Sequence, residues 1–129
     1  MNKYIAELTG TFALVFCGTG AIVIDQQSGG AVTNVGIAIT FGFIVMAMIY
    51  ALGDISGAHM NPAVTIAFSI AKRFPLQQVL PYIASQLAGA ILASVSLRFL
   101  FPAMIHWVQR YLQVPPCNPL CWSSCSVSF

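Results

Sequence analysis

Three stretches of this chain, Tyr4 to Ile24, Thr33 to Leu52 and Leu76 to Phe101, are apolar and nearly free of charge. Inside hydrocarbon no water is present to pair with backbone N–H and C=O groups, so such a stretch must satisfy them itself, as a helix. About 20 residues suffice to cross a hydrocarbon core of about 30 Å. The rest of the chain agrees. Charged residues make up 6% of it, too few to build a water-facing surface when a typical soluble domain carries about 25%. The chain is therefore expected to be an all-α transmembrane protein, with the lipid bilayer as its first partner. A net charge of +2 leaves no basic footprint for nucleic acid.

The opening "MNKYIAELTGTFALVFCGTGA" has a lysine ahead of an apolar run, as a signal peptide does. The run is too long for that, contains Glu7 and lacks a small-residue cleavage site. In "LVFC" the bulky Phe16 also argues against a lipoprotein signal. It reads as a retained first span, followed by the polar turn "DQQSGG". Lys3, Lys72 and Arg73 fall on one side of the three spans and Arg98 on the other. The positive-inside bias then places the N-terminus in the cytoplasm. Small residues recur at four-residue spacing in every span: Ala6 and Gly10, Ala38 and Gly42, Ser85, Gly89 and Ala93. This spacing lets helix backbones approach closely in lipid, although such pairs also arise by chance in Gly- and Ala-rich helices.

Between the second and third spans lies "SGAHMNPAVT". Residues 56–60 are too polar for a span, and residues 61–71 are too short for one, rising only about 16 Å as a helix. A loop that dips into the membrane and returns as a half-helix, over about residues 54–71, resolves both problems. Irregular backbone at that depth is tolerated where it is buried in protein or lines a water-filled cavity. Asn61 suits the N-cap and Pro62 the first helical position. The half-helix N-terminus would carry about half a positive charge near the midplane. Gly57, Ala58, His59 and Met60 would precede it with a row of backbone carbonyls. Acceptors followed by a positive helix end suit a neutral solute that both donates and accepts hydrogen bonds, and disfavour cations. The alternative is an ordinary cytoplasmic loop with an interfacial helix. Glu7 and Gln86 are polar residues within spans and are expected to face the interior, where both would brace the loop. For Glu7 the alternative is snorkelling to the interface. His59 has no second ligand at metal spacing and is read as a structural hydrogen-bonding group. No nucleophile, acid–base pair or phosphate loop stands out, so an enzyme is not expected, and neither is a cofactor or metal.

At "AELTGTFALVFCGTGA", "GDISGAHMNPAVTIAF" and "YIASQLAGAILAS" the chain resembles the major intrinsic protein family, the aquaporins and aquaglyceroporins. The likeness runs over about residues 4 to 102. It implies a bundle of six spans built from two inverted repeats, in which two half-helices meet at the centre and four protomers assemble. The tetramer is an expectation for the intact family rather than for this chain. The resemblance implies that Asn61 donates its amide to the permeating molecule and that Pro62 and Ala63 hold the two half-helices together. It also implies that residues 57–60 present pore carbonyls and that Glu7 and Gln86 brace the loops. Phe41 falls at the second-helix position of the aromatic/arginine constriction, where Phe resembles a water-selective filter and glycerol facilitators tend to carry Trp. The implied function is passive transport of water or small neutral solutes such as glycerol, in the plasma membrane.

The 129 residues contain no second Asn-Pro-Ala loop, no filter arginine and no fourth to sixth helix. The expected domains are residues 1–102, the N-terminal half of such a channel, and residues 103–129, a non-homologous, unstructured tail. The alternative function is a truncated, non-conducting fragment. Cys117, Cys121 and Cys125 in the tail have an unusual spacing for structural zinc. Joining the third base of each tail codon to the first two of the next is more informative. Met104–Ile105 then forces Asp, His106–Trp107 forces Leu, and Trp107–Val108 forces Gly. The remaining pairs permit "NDSLGATLPAG", which looks like the family's third connecting loop. The tail is read as a shifted frame of a gene of that family. The nucleotide sequence checks this: the shifted frame should stay open beyond Phe101, and a stop within a few codons would end the idea.

Overall fold

The computed structural model describes residues 2–102. The expectations for the tail, its cysteine cluster and its shifted frame lie outside the described residues. Four helices follow in order: α1 (Lys3–Gln27), α2 (Thr33–Ser56), α3 (Pro62–Ile70) and α4 (Leu76–Leu100). Helices α1, α2 and α4 are each long and apolar enough to cross a membrane. Helix α3 has nine residues, a length of about 14 Å, which spans only half a bilayer.

Side-chain contacts define the course of the chain. Near the end of α1, Asp25 Oδ1 accepts hydrogen bonds from the backbone N–H of Val32 at 2.9 Å and Thr33 at 2.8 Å. It thereby caps the start of α2 where Val32 has no side-chain acceptor, adding to the long bond from Gly36 N–H to Thr33 Oγ1 at 3.4 Å. From there α2 runs back antiparallel along α1, bringing Leu52 against Gly10. Helix α4 runs parallel to α1: Lys3 Nζ donates to Gln78 Oε1 at 2.5 Å near one end, and Gly20 faces Leu97 towards the other. The beginnings of α1 and α4 and the end of α2 therefore share one side.

The chain must leave α2 and enter α4 on that same side, and it does so by turning inward first. Met60 reaches the α1 surface at Gly10. That position is seven residues past Lys3, about 10 Å along the helix. Helix α3 then carries the chain back out to Lys72 and Arg73, packing against α4 on the way. The result is an all-α transmembrane half-repeat of three spans with one re-entrant short helix.

Close packing follows the small residues selectively. A Cβ on Gly89 would overlap the Leu8 carbonyl oxygen and lie 3.2 Å from Phe12 N, so α1 and α4 touch through backbone at this point. Ala6 and Ala93 are fully buried and Gly10 is buried as well. The pair Ala38 and Gly42 departs from expectation: both are exposed, and a Cβ built on Gly42 would meet nothing described within 4 Å. They lie on the α2 face turned away from α1, among exposed Ile39, Phe43 and Met46. Ser85 is only half-buried, bonding the carbonyl of Pro81 in its own helix.

The second helix also runs past Leu52 to Ser56, so the irregular segment begins at Gly57 rather than near residue 54. Polar Gly53 and Asp54 extend the helix because they sit at its end, where Asp54 is exposed. Gly57 stops it, with φ of 83° and its N–H on the Gly53 carbonyl at 2.9 Å, a left-handed cap that glycine adopts without steric cost.

Gly89→Ala is expected to lower stability by about 1–3 kcal/mol, because the added methyl meets backbone that cannot turn aside. Gly42→Ala should raise stability by up to about 1 kcal/mol through helix propensity alone. Denaturant titration in micelles, followed by circular dichroism, measures both.

Candidate functional site

Glu7 is fully buried one turn into α1. A carboxylate has about four lone-pair positions, and donors from three separate segments reach it. Oε1 accepts from Ser56 Oγ at 2.7 Å and from the His59 backbone N–H at 2.9 Å. Oε2 accepts from the Met60 N–H at 2.8 Å and from Gln86 Nε2 at 2.7 Å. One side chain thus joins α1, the end of α2, the loop and α4. The burial settles the snorkelling alternative: Glu7 faces inward.

This arrangement shapes the loop. Gly57, Ala58 and Met60 all have positive φ, at 83°, 47° and 48°. For Ala58 and Met60 this is strained backbone, costing about 1–2 kcal/mol per residue. The hydrogen bonds from His59 and Met60 to Glu7 compensate, since burying those N–H groups unpaired would cost more. With the N–H groups directed to Glu7, the carbonyls of residues 57–60 receive no hydrogen bond from any described residue. Asn61 caps α3 as the sequence suggests, its Oδ1 accepting from Ala63 N–H at 2.9 Å, with Pro62 opening the helix. The amide nitrogen of Asn61 donates to no described residue, and the side chain is exposed.

Three further residues complete the support, and sequence reasoning missed all three. The Thr65 hydroxyl accepts from Gln86 Nε2 at 3.0 Å and lies 3.2 Å from the Asn61 carbonyl and 3.1 Å from His59 Nδ1. Its single proton serves one of the last two. Ser56 carries the hydroxyl bonded to Glu7. Tyr82, 2% exposed, donates from its phenol to the Ser56 carbonyl at 3.0 Å. Thr65 lies four residues after Asn61 and Tyr82 four before Gln86, the spacing that places two residues on one helix face; that signal was available. Gln86 is oriented by the same chemistry. Turned over, its oxygen would face the Glu7 carboxylate, so Nε2 points inward and Oε1 stays buried without a partner.

His59 has a structural setting. Its ring stacks on Phe68 with centroids 5.0 Å apart and meets Phe74 and Tyr82 edge-on or tilted at 4.9 and 5.5 Å. The expected set therefore divides in two. Glu7, Gln86 and residues 57–63 gather at one place. Phe41 lies elsewhere, on α2 against Gly18. It is fifteen residues before Ser56, about 22 Å along the helix.

Glu7→Gln preserves size but replaces one acceptor oxygen with a donor facing a donor. It should cost about 1–3 kcal/mol and speed amide hydrogen exchange at His59 and Met60 well beyond that of α4. Tyr82→Phe, which removes a single hydrogen bond, should cost about 1 kcal/mol. Exchange measured by mass spectrometry in micelles checks both.

The chain is similar in sequence to known proteins. The family described as "Major intrinsic protein" matches residues 1–118. The putative aquaporin NIP4-1 of Arabidopsis thaliana is 54% identical over 100 residues, covering 78% of this chain and 35% of the relative. Aquaporin NIP1-1 of Oryza sativa subsp. japonica is 52% identical over 101 residues, covering 78% and 36%. Aquaporin NIP1-1 of Zea mays is 50% identical over 101 residues, with the same coverage, 78% and 36%. The chain thus spans about 35% of the length of these curated relatives. With a family match across most of its length, and the loop and its buried carboxylate in place, the chain belongs to the major intrinsic protein family.

Proposed function

We propose that residues 1–102 form half of a transmembrane passage for water or small neutral solutes such as glycerol. The observation that carries this reading is the polarity of the loop. Glu7 takes the N–H groups of His59 and Met60. The carbonyls of residues 57–60 and the Asn61 amide are left without partners among the described residues. A file of acceptors ending at a donor and a helix N-terminus exchanges hydrogen bonds with a neutral molecule and repels cations. Pro62 and Ala63 would meet an opposing half-helix, and Phe41 would narrow the outer end. Passive passage needs no cofactor and no chemical step. The lysine and arginine bias supports a cytoplasmic N-terminus; a plasma-membrane location and a tetrameric assembly of the intact family rest on analogy with the family alone.

A second reading, a non-conducting fragment, has its own observation. Asn61 and Ala63 are exposed, as are Ile66, Phe68 and Ile70 of α3. The half-helix rests on α4 and leaves an apolar side uncovered, so a passage formed by this chain needs an opposing half.

Swelling of vesicles containing inserted protein separates the two. Water permeability above that of empty vesicles, reduced by Asn61→Asp, supports the passage. Permeability equal to that of empty vesicles, with insertion confirmed by protease protection, overturns it in favour of the fragment.

A further inference from the structure

Gly18 is buried on α1 where α2 crosses it. A Cβ built on Gly18 would overlap Cε1 and Cζ of the Phe41 ring and lie 2.7 Å from Cδ1. Three atoms of one ring edge thus lie in space that any other residue at position 18 would fill. No other glycine in the described residues would overlap an aromatic ring: a Cβ on Gly57 would lie 3.3 Å from the His59 ring, Gly10 meets Met60 and Leu52, and Gly89 meets backbone. Phe41 is half-buried, so one part of the ring is seated on α1 and another part is free. A Cβ on the next residue, Gly42, would meet nothing within 4 Å, so Gly42 points away from α1 while Phe41 points towards it. The observed place of the Phe41 ring is therefore open to it only because position 18 has no side chain.

We propose that Gly18 is a positioning residue for the Phe41 ring and, through it, sets the size limit of the passage. The size-limit half of the inference rests on the passage proposed above; the positioning half does not. The atoms that clash are at the far end of a side chain with two rotatable bonds. A methyl group at position 18 would therefore turn the ring off α1 rather than force the helices apart, since staggered alternatives are open to it. In a tight constriction a change of one methyl discriminates between solutes by on the order of tenfold. Gly18 would then control selectivity without touching the solute.

The test is a double-mutant cycle of Gly18→Ala and Phe41→Ala in the full chain, read in two ways. In micelles, with 4-fluorophenylalanine at position 41, Gly18→Ala should shift the fluorine resonance. A resonance that does not move overturns the positioning role. If Gly18→Ala instead lowers helix content, Phe41→Ala should restore it, which supports the same seat; failure to restore overturns it. In vesicles, the ratio of glycerol to water permeability should change on the order of tenfold with Phe41 present and stay constant with alanine there. An equal change in both backgrounds overturns the action through Phe41. Wild-type permeability no greater than that of empty vesicles overturns the conducting reading and the size limit with it, while the resonance still decides whether Gly18 seats the ring.

Discussion

A carboxylate inside a membrane protein is costly unless its lone pairs are filled, and Glu7 fills them with four donors from three other segments. The rest of the structure depends on this one group. The loop backbone at Ala58 and Met60 is held in left-handed conformations that it would leave if released. The end of α2 is tied to α1 through Ser56, and α4 is tied to α1 through Gln86. A hydrophobic side chain at position 7 would leave two backbone N–H groups and one of the two Gln86 amide protons without acceptors, the other still reaching Thr65 Oγ1. Directing those N–H groups to one side also leaves the carbonyls on the other, so the same hydrogen bonds that stabilise the loop give it chemical polarity.

Helix spacing obeys a different constraint. Lipid offers no hydrophobic drive for helices to associate, so close approach has to come from small residues at contact points. Gly89 lets α4 reach the backbone of α1, and Gly10 makes room for Met60 and Leu52. These contacts bring Glu7 and Gln86 within hydrogen-bonding reach, at 2.7 Å. The polar cluster and the glycine contacts are thus one arrangement: the first requires the short helix separation that the second allows. Around them the aromatic rings of His59, Phe68, Phe74 and Tyr82 close the side towards the Lys72–Arg73 turn.

Much of this was legible in the residues. Length and apolarity identify the three spans, because hydrocarbon admits few other backbone solutions. Asn61 and Pro62 marked the start of α3 because caps act locally, through a side chain and a fixed φ near the chain itself. Glu7 and Gln86 stood out because polar groups in lipid need a reason. Ser56, Thr65 and Tyr82 did not stand out. Hydroxyls are unremarkable in apolar helices, since each can bond the carbonyl one turn back, as Thr9 and Ser94 do. Whether a hydroxyl turns to its own helix or to a distant partner depends on what packs beside it.

The sequence by itself determined the class of molecule, the three spans and the place where the membrane pattern breaks, because each follows from interactions within a few residues of chain. The tertiary structure decided which of the small-residue pairs are contacts. Ala6, Gly10, Gly89 and Ala93 are buried, whereas Ala38 and Gly42 face outward. A four-residue spacing names a helix face without naming its neighbour. It also decided that Glu7 looks inward rather than to the interface, and that Phe41 rests on Gly18 far from the loop. These facts depend on the parallel course of α1 and α4, which brings together residues as distant in sequence as Glu7 and Gln86, and which no local pattern encodes.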